Sequence, residues 1–290
     1  MSLQSDIGIF GGDQRQVYMA SAFLQMGYQV FTYRIAEPIQ HENCISLHSL
    51  NELFDKCSLL IGPIPLTRDL VSVASTGASE LTASNLSNLI TKDHFLIGGM
   101  IPPSLAGICT NKGIPYYDLM KNEKITILNA IATAEGSIME AIQSSVQNLH
   151  GSNCLVLGFG RCAKVLALKL KGMDAKVTVA ARSADALAYA EAAGLLTLTL
   201  SDMKPFLPVY DFIFNTIPAL ILDKSCLDQV KQNATIIDIA SAPGGVDYEY
   251  AMHKKLKAKL CLGLPGKVAP KTSADILVSE IITLLKERSD

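Results

Sequence analysis

The stretch Gly158-Phe159-Gly160-Arg161-Cys162-Ala163 constrains this chain most. An apolar run, Cys154 to Leu157, leads into it, and a helix-patterned segment, Lys164 to Lys171, leads out of it. A glycine-punctuated turn from strand to helix is the setting of a dinucleotide-binding fingerprint. The first glycine permits the tight turn, the second lets backbone approach a pyrophosphate, and Ala163 in third place is small enough for close helix–strand packing. The pyrophosphate then rests on the helix N-terminus, where free N–H groups and the dipole favour negative charge. Taken alone, the same turn reads equally as an ordinary strand-to-helix connection, so its flanks decide.

After that helix, Asp174 to Ala181 forms a second strand of β-branched and small residues, ending in Ala181-Arg182-Ser183 at the distance of the ribose-reading position. A site preferring NAD places Asp or Glu there, to accept bonds from the ribose 2′-OH. Here a guanidinium and a hydroxyl stand in that place. Arg182 can hold a 2′-phosphate by charge-assisted bonds and stack on the adenine, with Ser183 adding a short bond, so the expected cofactor is NADP. The competing reading is a solvated arginine paired with Asp185. Further cofactor contacts are expected from Asn215-Thr216-Ile217-Pro218, which follows the strand Phe212 to Phe214, and from Ala240-Ser241 after the strand Thr235 to Ile239. Leu264 to Pro270 reads as the loop after a last strand, Lys259 to Leu262.

The first third alternates strand and helix signals: Ile7 to Phe10, Gln14 to Met26, Gln29 to Tyr33, Ser58 to Ile61 and Phe95 to Ile97. Its first turn, Gly11-Gly12-Asp13, puts an acid where a phosphate would sit, which assigns this unit to substrate. The expected fold is therefore α/β, with two doubly wound parallel-sheet domains on the plan of two-domain 2-hydroxy acid dehydrogenases. Residues 1–121 form a substrate-side flavodoxin-like domain, and residues 122–272 form a Rossmann NAD(P)-binding domain. The second includes a long linking helix at 122–149, with a break expected near Gly136. A C-terminal helix at 273–290 is expected to pack back on the first domain.

Composition removes several classes of function. A net charge of −2 with 18% charged residues leaves no basic footprint for nucleic acid or anionic membrane. No uninterrupted apolar run reaches the roughly 18 residues that cross a bilayer. The seven cysteines form no CxxC pair, and the N-terminus shows no charged segment followed by an apolar core, so a cytoplasmic protein with reduced thiols is expected. The five histidines have no metal-ligand spacing, so no metal is expected, and His150 reads as a helix C-terminal residue.

Candidate catalytic residues follow from charge and position. Among six arginines, Arg15 and Arg68 follow carboxyl ends of strands in the first domain and are candidates for holding substrate carboxylates, or equally read as exposed solubilising charges near helix starts. Asp13 or Glu135 is the candidate base, and each reads equally as a helix N-terminal acid. Cys162, at a helix N-terminus, has the position of an activated thiol or of a small packing residue.

Several of these motifs, with Asp238-Ile239-Ala240-Ser241-Ala242-Pro243-Gly244-Gly245-Val246-Asp247 and Gly263-Leu264-Pro265-Gly266-Lys267-Val268-Ala269-Pro270, resemble the family of dipicolinate synthase A subunits over nearly the whole chain. Alanine in place of glycine at 163 is a departure that the fingerprint tolerates. The resemblance implies an NADP-dependent oxidoreductase of dipicolinate biosynthesis in the mother cell of a sporulating bacterium. Its substrate would be a small cyclic dicarboxylate, a dihydro- or hydroxytetrahydro-dipicolinate derived from the lysine pathway, its two carboxylates held by Arg15, Arg68 or Lys267. Its partner would be the flavoprotein-like B subunit of dipicolinate synthase. A homo-oligomer is also expected. Alternatives are another NADP-dependent dehydrogenase of a small carboxylic acid, or a non-catalytic cofactor-binding subunit of a two-subunit synthase.

Overall fold

In the computed structural model, which describes residues 6–75 and 80–288, strands and helices alternate almost throughout. In chain order they are β1 (Ile7–Phe10), α1 (Gln14–Gln25), β2 (Val30–Tyr33), β3 (Cys44–Ser46), α2 (Leu50–Lys56), β4 (Leu59–Ile61), α3 (Ala83–Leu89), β5 (Phe95–Gly98), α4 (Pro103–Lys112) and β6 (Tyr116–Asp118). There follow α5 (Glu123–Ser144), β7 (Asn153–Leu157), α6 (Arg161–Gly172), β8 (Lys176–Ala181), α7 (Ala184–Ala192), β9 (Leu196–Thr199), β10 (Phe212–Asn215) and α8 (Lys224–Leu227). The chain closes with β11 (Thr235–Asp238), α9 (Tyr248–His253), β12 (Lys257–Leu260), α10 (Leu264–Val268) and α11 (Pro270–Glu287).

Two compact units result: Met1–Thr126 with Ala269–Asp290, and Ile127–Val268. Each holds a six-stranded parallel sheet. The orders are β3-β2-β1-β4-β5-β6 in the first and β9-β8-β7-β10-β11-β12 in the second, so both are the doubly wound order of a dinucleotide fold. The central strands Ile7–Phe10, Val30–Tyr33, Leu59–Ile61, Phe212–Asn215 and Thr235–Asp238 are buried along their whole length. Unbroken apolar runs are what a parallel sheet covered on both faces requires.

The first unit departs from the flavodoxin-like order expected of it. Without β3, its strands would run β2-β1-β4-β5-β6, which is the flavodoxin pattern. β3 pairs parallel to β2 from Val30↔Cys44 to Thr32↔Ser46 and adds the outer edge. Its three residues are largely exposed and carry no apolar periodicity, so composition gives it no signal. The first unit's core includes α11, where Ala274, Leu277, Val278 and Ile281 pack with Met19, Ala20 and Phe23 of α1. Asn122 and Tyr117 both donate to the Glu280 carboxylate, at 2.6 and 3.2 Å, and so fasten α11 to the end of the sheet.

α5 is shorter than the helix read from the sequence, but it is unbroken. It stops at Ser144, and Ser145 Oγ accepts the Gln147 N–H in a local turn that competes with helix. Val146, which fits the apolar spacing of the helix, is 89% exposed beyond its end, and His150 lies outside the helix beside Asp174. By length and composition α5 is apolar enough to cross a membrane, although polar residues interrupt its apolar run. Its Ala134, Ile138 and Ala141 are buried in the second unit's core. Gly136 does not break the helix. A Cβ there would lie 3.1 Å from Leu264 Cβ and Cδ2, so glycine lets α5 approach α10 closely.

This contact gives a prediction. Gly136→Val overpacks against Leu264 and lowers the unfolding free energy by about 1–3 kcal/mol. Gly107, inside α4 with nothing within 4 Å of a built Cβ, behaves oppositely: Gly107→Ala raises stability by about 0.5–1 kcal/mol. Urea unfolding of the two variants checks both signs.

Candidate functional site: the carboxyl ends of the two sheets

In the second unit the turn after β7 is built around Gly158. Its φ of +92° suits glycine, and a Cβ there would stand 2.6 Å from Thr216 Oγ1. Thr216 Oγ1 donates to Leu157 O at 2.8 Å, which stacks the β10 loop on the turn. Gly160 is the N-cap of α6 and supplies no side-chain cap, so the first N–H groups of the helix are not covered from their own chain end. A Cβ on Gly160 would meet nothing within 4 Å. Ala163 is fully buried in the core, which fits its expected part in helix–strand packing, and Phe159 is also a core residue. An uncapped helix start facing open space, with a glycine at the closest point, fits a dinucleotide pyrophosphate.

The ribose-side position is equally open. Arg182 is exposed at the end of β8, and among the described residues it forms no ion pair, with Asp185 or any other carboxylate. The Ser183 hydroxyl is engaged: it accepts the Ala186 N–H at 3.4 Å and caps α7. The Lys164 ammonium lies 5.8 Å from the Phe159 ring and 5.2 Å from the Tyr189 ring, a further cation beside the turn. Cys162 is not an activated thiol. Burial pushes its pKa up, outweighing the Arg161 charge and the Thr133 hydrogen bond that pull it down. The other buried thiols behave likewise, and burial carries Cys57 and Cys154 up to about 12.

The loops after β10 and β11 meet on a residue to which the sequence reading gave no role. Asp238 is fully buried at the end of β11. Its Oδ1 accepts from Asn215 Nδ2 and Ala240 N, each at 2.9 Å, and its Oδ2 accepts from Gly245 N and Tyr248 Oη, each at 2.7 Å. Asn215 completes the junction, its Oδ1 accepting from Ile217 N at 3.1 Å and its Nδ2 donating to Ile217 O at 3.0 Å. Asn215 and Ala240 are thus held inside the protein, whereas Pro218 and Ser241 lie exposed at the loop surface. The available signal was an Asp ending an apolar strand just before a Pro-Gly-Gly turn.

In the first unit the corresponding turn is filled. Asp13 caps α1 in a reciprocal capping box with Gln16. Arg15, only 6% exposed, grips the Asp13 carboxylate through Nε and Nη2, at 2.9 and 2.8 Å, and also donates to Ile64 O. Arg15 Nε and Nη2 are therefore committed to the turn, while Nη1 has no hydrogen-bond partner among the described residues. Burial raises the Asp13 pKa, but the bonds and charge of Arg15, with the charge of Arg68, hold it net below 3.8. Asp13 and Arg68 do come together, lining a cavity of about 350 Å³ with Pro63, Pro65, Ser72 and Ser75. Glu135 is paired with Lys169 at 2.9 Å on the surface of the second unit. Lys267 is exposed on α10, a short helix where a loop was expected. Among the described residues no cluster of His, Cys, Asp or Glu could hold a metal.

Comparison with known proteins follows this division. Residues 6–120 match the N-terminal domain of the A subunit of dipicolinate synthase. Residues 124–263 match the NAD binding domain of D-isomer specific 2-hydroxyacid dehydrogenases. The dipicolinate synthase A subunit of Bacillus subtilis (strain 168) is 30% identical over 97% of this chain and 96% of its own length. The chain belongs to the family of dipicolinate synthase A subunits. A solved member of that family, from Bacillus halodurans, superposes with a TM-score of 0.86 at 30% identity, covering 97% of each chain. The D-lactate dehydrogenase of Escherichia coli, 12% identical over 98% of this chain and 97% of its own, shares the fold with a TM-score of 0.61.

Because the folded-state pKa of Asp13 is depressed, its contribution to stability is present above the ordinary value of 3.8 and is lost as pH falls through the lower folded value. Asp13→Ala removes the cap and strips Arg15 of its partner. It should cost about 1–3 kcal/mol near pH 7, and the gap from wild type should begin to narrow only as pH falls below the ordinary value of 3.8. Unfolding curves across this range of pH check this.

Proposed function

We propose that the chain is the NADP-dependent oxidoreductase of dipicolinate biosynthesis. It would convert a dihydro- or hydroxytetrahydro-dipicolinate to dipicolinate in the cytoplasm of a sporulating mother cell, together with the B subunit of the synthase. The observation that carries the cofactor half of this reading is the exposed Arg182, which forms no ion pair among the described residues, at the end of the strand paired with β7, whose own turn leads to the uncapped start of α6. A guanidinium in that position matches a 2′-phosphate, whereas NAD offers it only a hydroxyl that prefers a carboxylate. NADP, when bound, supplies a hydride acceptor.

The chemistry balances simply. From the hydroxytetrahydro ring one water leaves, and then one hydride and one proton, which yields an aromatic pyridine. Aromatisation provides the driving force, so the side chains need only bind, orient and accept a proton. Arg68 forms no salt bridge among the described residues and lines the first-unit cavity, so it is the candidate to hold a ring carboxylate. Asp13, on the same cavity wall, is the candidate proton acceptor. Its depressed pKa makes it a weak base, suited to a proton that aromatisation already labilises.

NADPH formation from NADP and freshly generated hydroxytetrahydrodipicolinate, with and without the B subunit, tests the reaction. Turnover in the mixture that contains the B subunit is the expected result, and no turnover in either mixture sinks the assignment. Arg182→Ala should weaken NADP binding about ten- to hundredfold while changing NAD binding little. Equal loss for both nucleotides would refute the 2′-phosphate assignment. Arg68→Ala should raise KM for the dicarboxylate about tenfold or more without changing the affinity for NADP.

A further inference from the structure

We propose that Asp238 is a positioning residue for the nicotinamide half of the cofactor, because its buried carboxylate joins the β10 loop to the β11 loop through Asn215, Ala240, Gly245 and Tyr248. The inference rests on the cofactor reading above. β7 lies between β8 on one side and β10 on the other. The adenine side of a dinucleotide is read at the end of β8, and its far half lies over the ends of β10 and β11. Asp238 is therefore placed to govern one half of the ligand only.

The surrounding sequence is shaped to this carboxylate. A Cβ on Gly244 would lie 2.6 Å from Asp238 Oδ2, and one on Gly245 would lie 2.4 Å from Asn215 Nδ2 and 2.5 Å from Ala219 O. The paired glycines let the loop fold down onto the buried acid. All four partners are donors, so only a group that accepts at both oxygens satisfies them. An amide in its place would present an N–H to a donor it cannot escape, the backbone N–H of Gly245 or of Ala240. Asp238 is closed to solvent and touches no open space, so it orients the loops and does not exchange protons with a substrate. Tyr248, half-buried, has its hydroxyl pinned on the same oxygen, and burial with the Asp238 bond drives its pKa strongly upward, which keeps it a donor.

The test separates the two halves of the ligand on the full chain. NADPH binding is followed by nicotinamide fluorescence, and adenosine 2′,5′-bisphosphate, the adenine-side fragment, by calorimetry. Tyr248→Phe is expected to weaken NADPH about three- to tenfold, and Asp238→Asn at least about tenfold, while the bisphosphate stays within about twofold of wild type in both. Tyr248→Phe keeps the carboxylate and loses one bond, so it decides the matter if Asp238→Asn does not fold. Unchanged NADPH affinity in Tyr248→Phe overturns the proposal, as does an equal loss for NADPH and bisphosphate, the mark of a general structural role. A wild-type chain that binds neither NADPH nor the bisphosphate removes the cofactor reading itself, and the proposal with it.

Discussion

Parallel strands covered on both faces leave the backbone only its strand ends at which to meet a ligand, and the candidate site residues of this chain are arranged under that constraint. The central strands of both units are fully buried, so their apolar side chains are spent on two cores. Polar chemistry is pushed to the loops that leave the carboxyl ends, and it gathers where the strand order reverses, between β1 and β4 and between β7 and β10. The candidate residues Gly158, Arg182, Thr216, Asp13 and Arg68 all lie on such loops.

The two units share one topology and use its first turn in opposite ways. In the second, glycine caps α6 and leaves the positive end of the helix facing open space. In the first, the Asp13 carboxylate covers the same end of α1 and is itself neutralised by Arg15. A carboxylate bonded to the first turn does for α1 what a phosphate would do for α6. One residue type at the cap thus decides whether the helix start is left open or is covered by the chain's own carboxylate, and the covered start lines a cavity with Arg68, which forms no salt bridge among the described residues.

How far the sequence could be read depends on the range of the signal. The strands Ile7–Phe10, Val30–Tyr33 and Phe212–Asn215 and the helix α6 were legible because burial on two faces, or amphipathic spacing, is written in consecutive residues. β3, β6 and β9 were not, since they are short and only partly covered, held by pairing with a neighbour far away in sequence. The end of α5 was misplaced because Val146 fits the apolar period although nothing packs on it. At the candidate site, the glycine turn between β7 and α6 was legible from local rules. That Arg15 bonds both Asp13 and Ile64 was not, since the second partner lies 49 residues away.

The sequence by itself therefore determined the class of fold, two units of alternating strand and helix, and the conformation of the β7 turn. Both follow from periodicity and from the conformational freedom of glycine, which act over a few residues. Only the tertiary structure decided which charges are free. Arg182 and Arg15 are the same residue type near the same part of the same fold, yet the first stays exposed while the second is buried against a carboxylate and a distant carbonyl. Asp238 likewise acquires its place only when two loops 23 residues apart close on it. A polar group's role is set by the partners that burial supplies, and those partners are assembled across the chain and not along it.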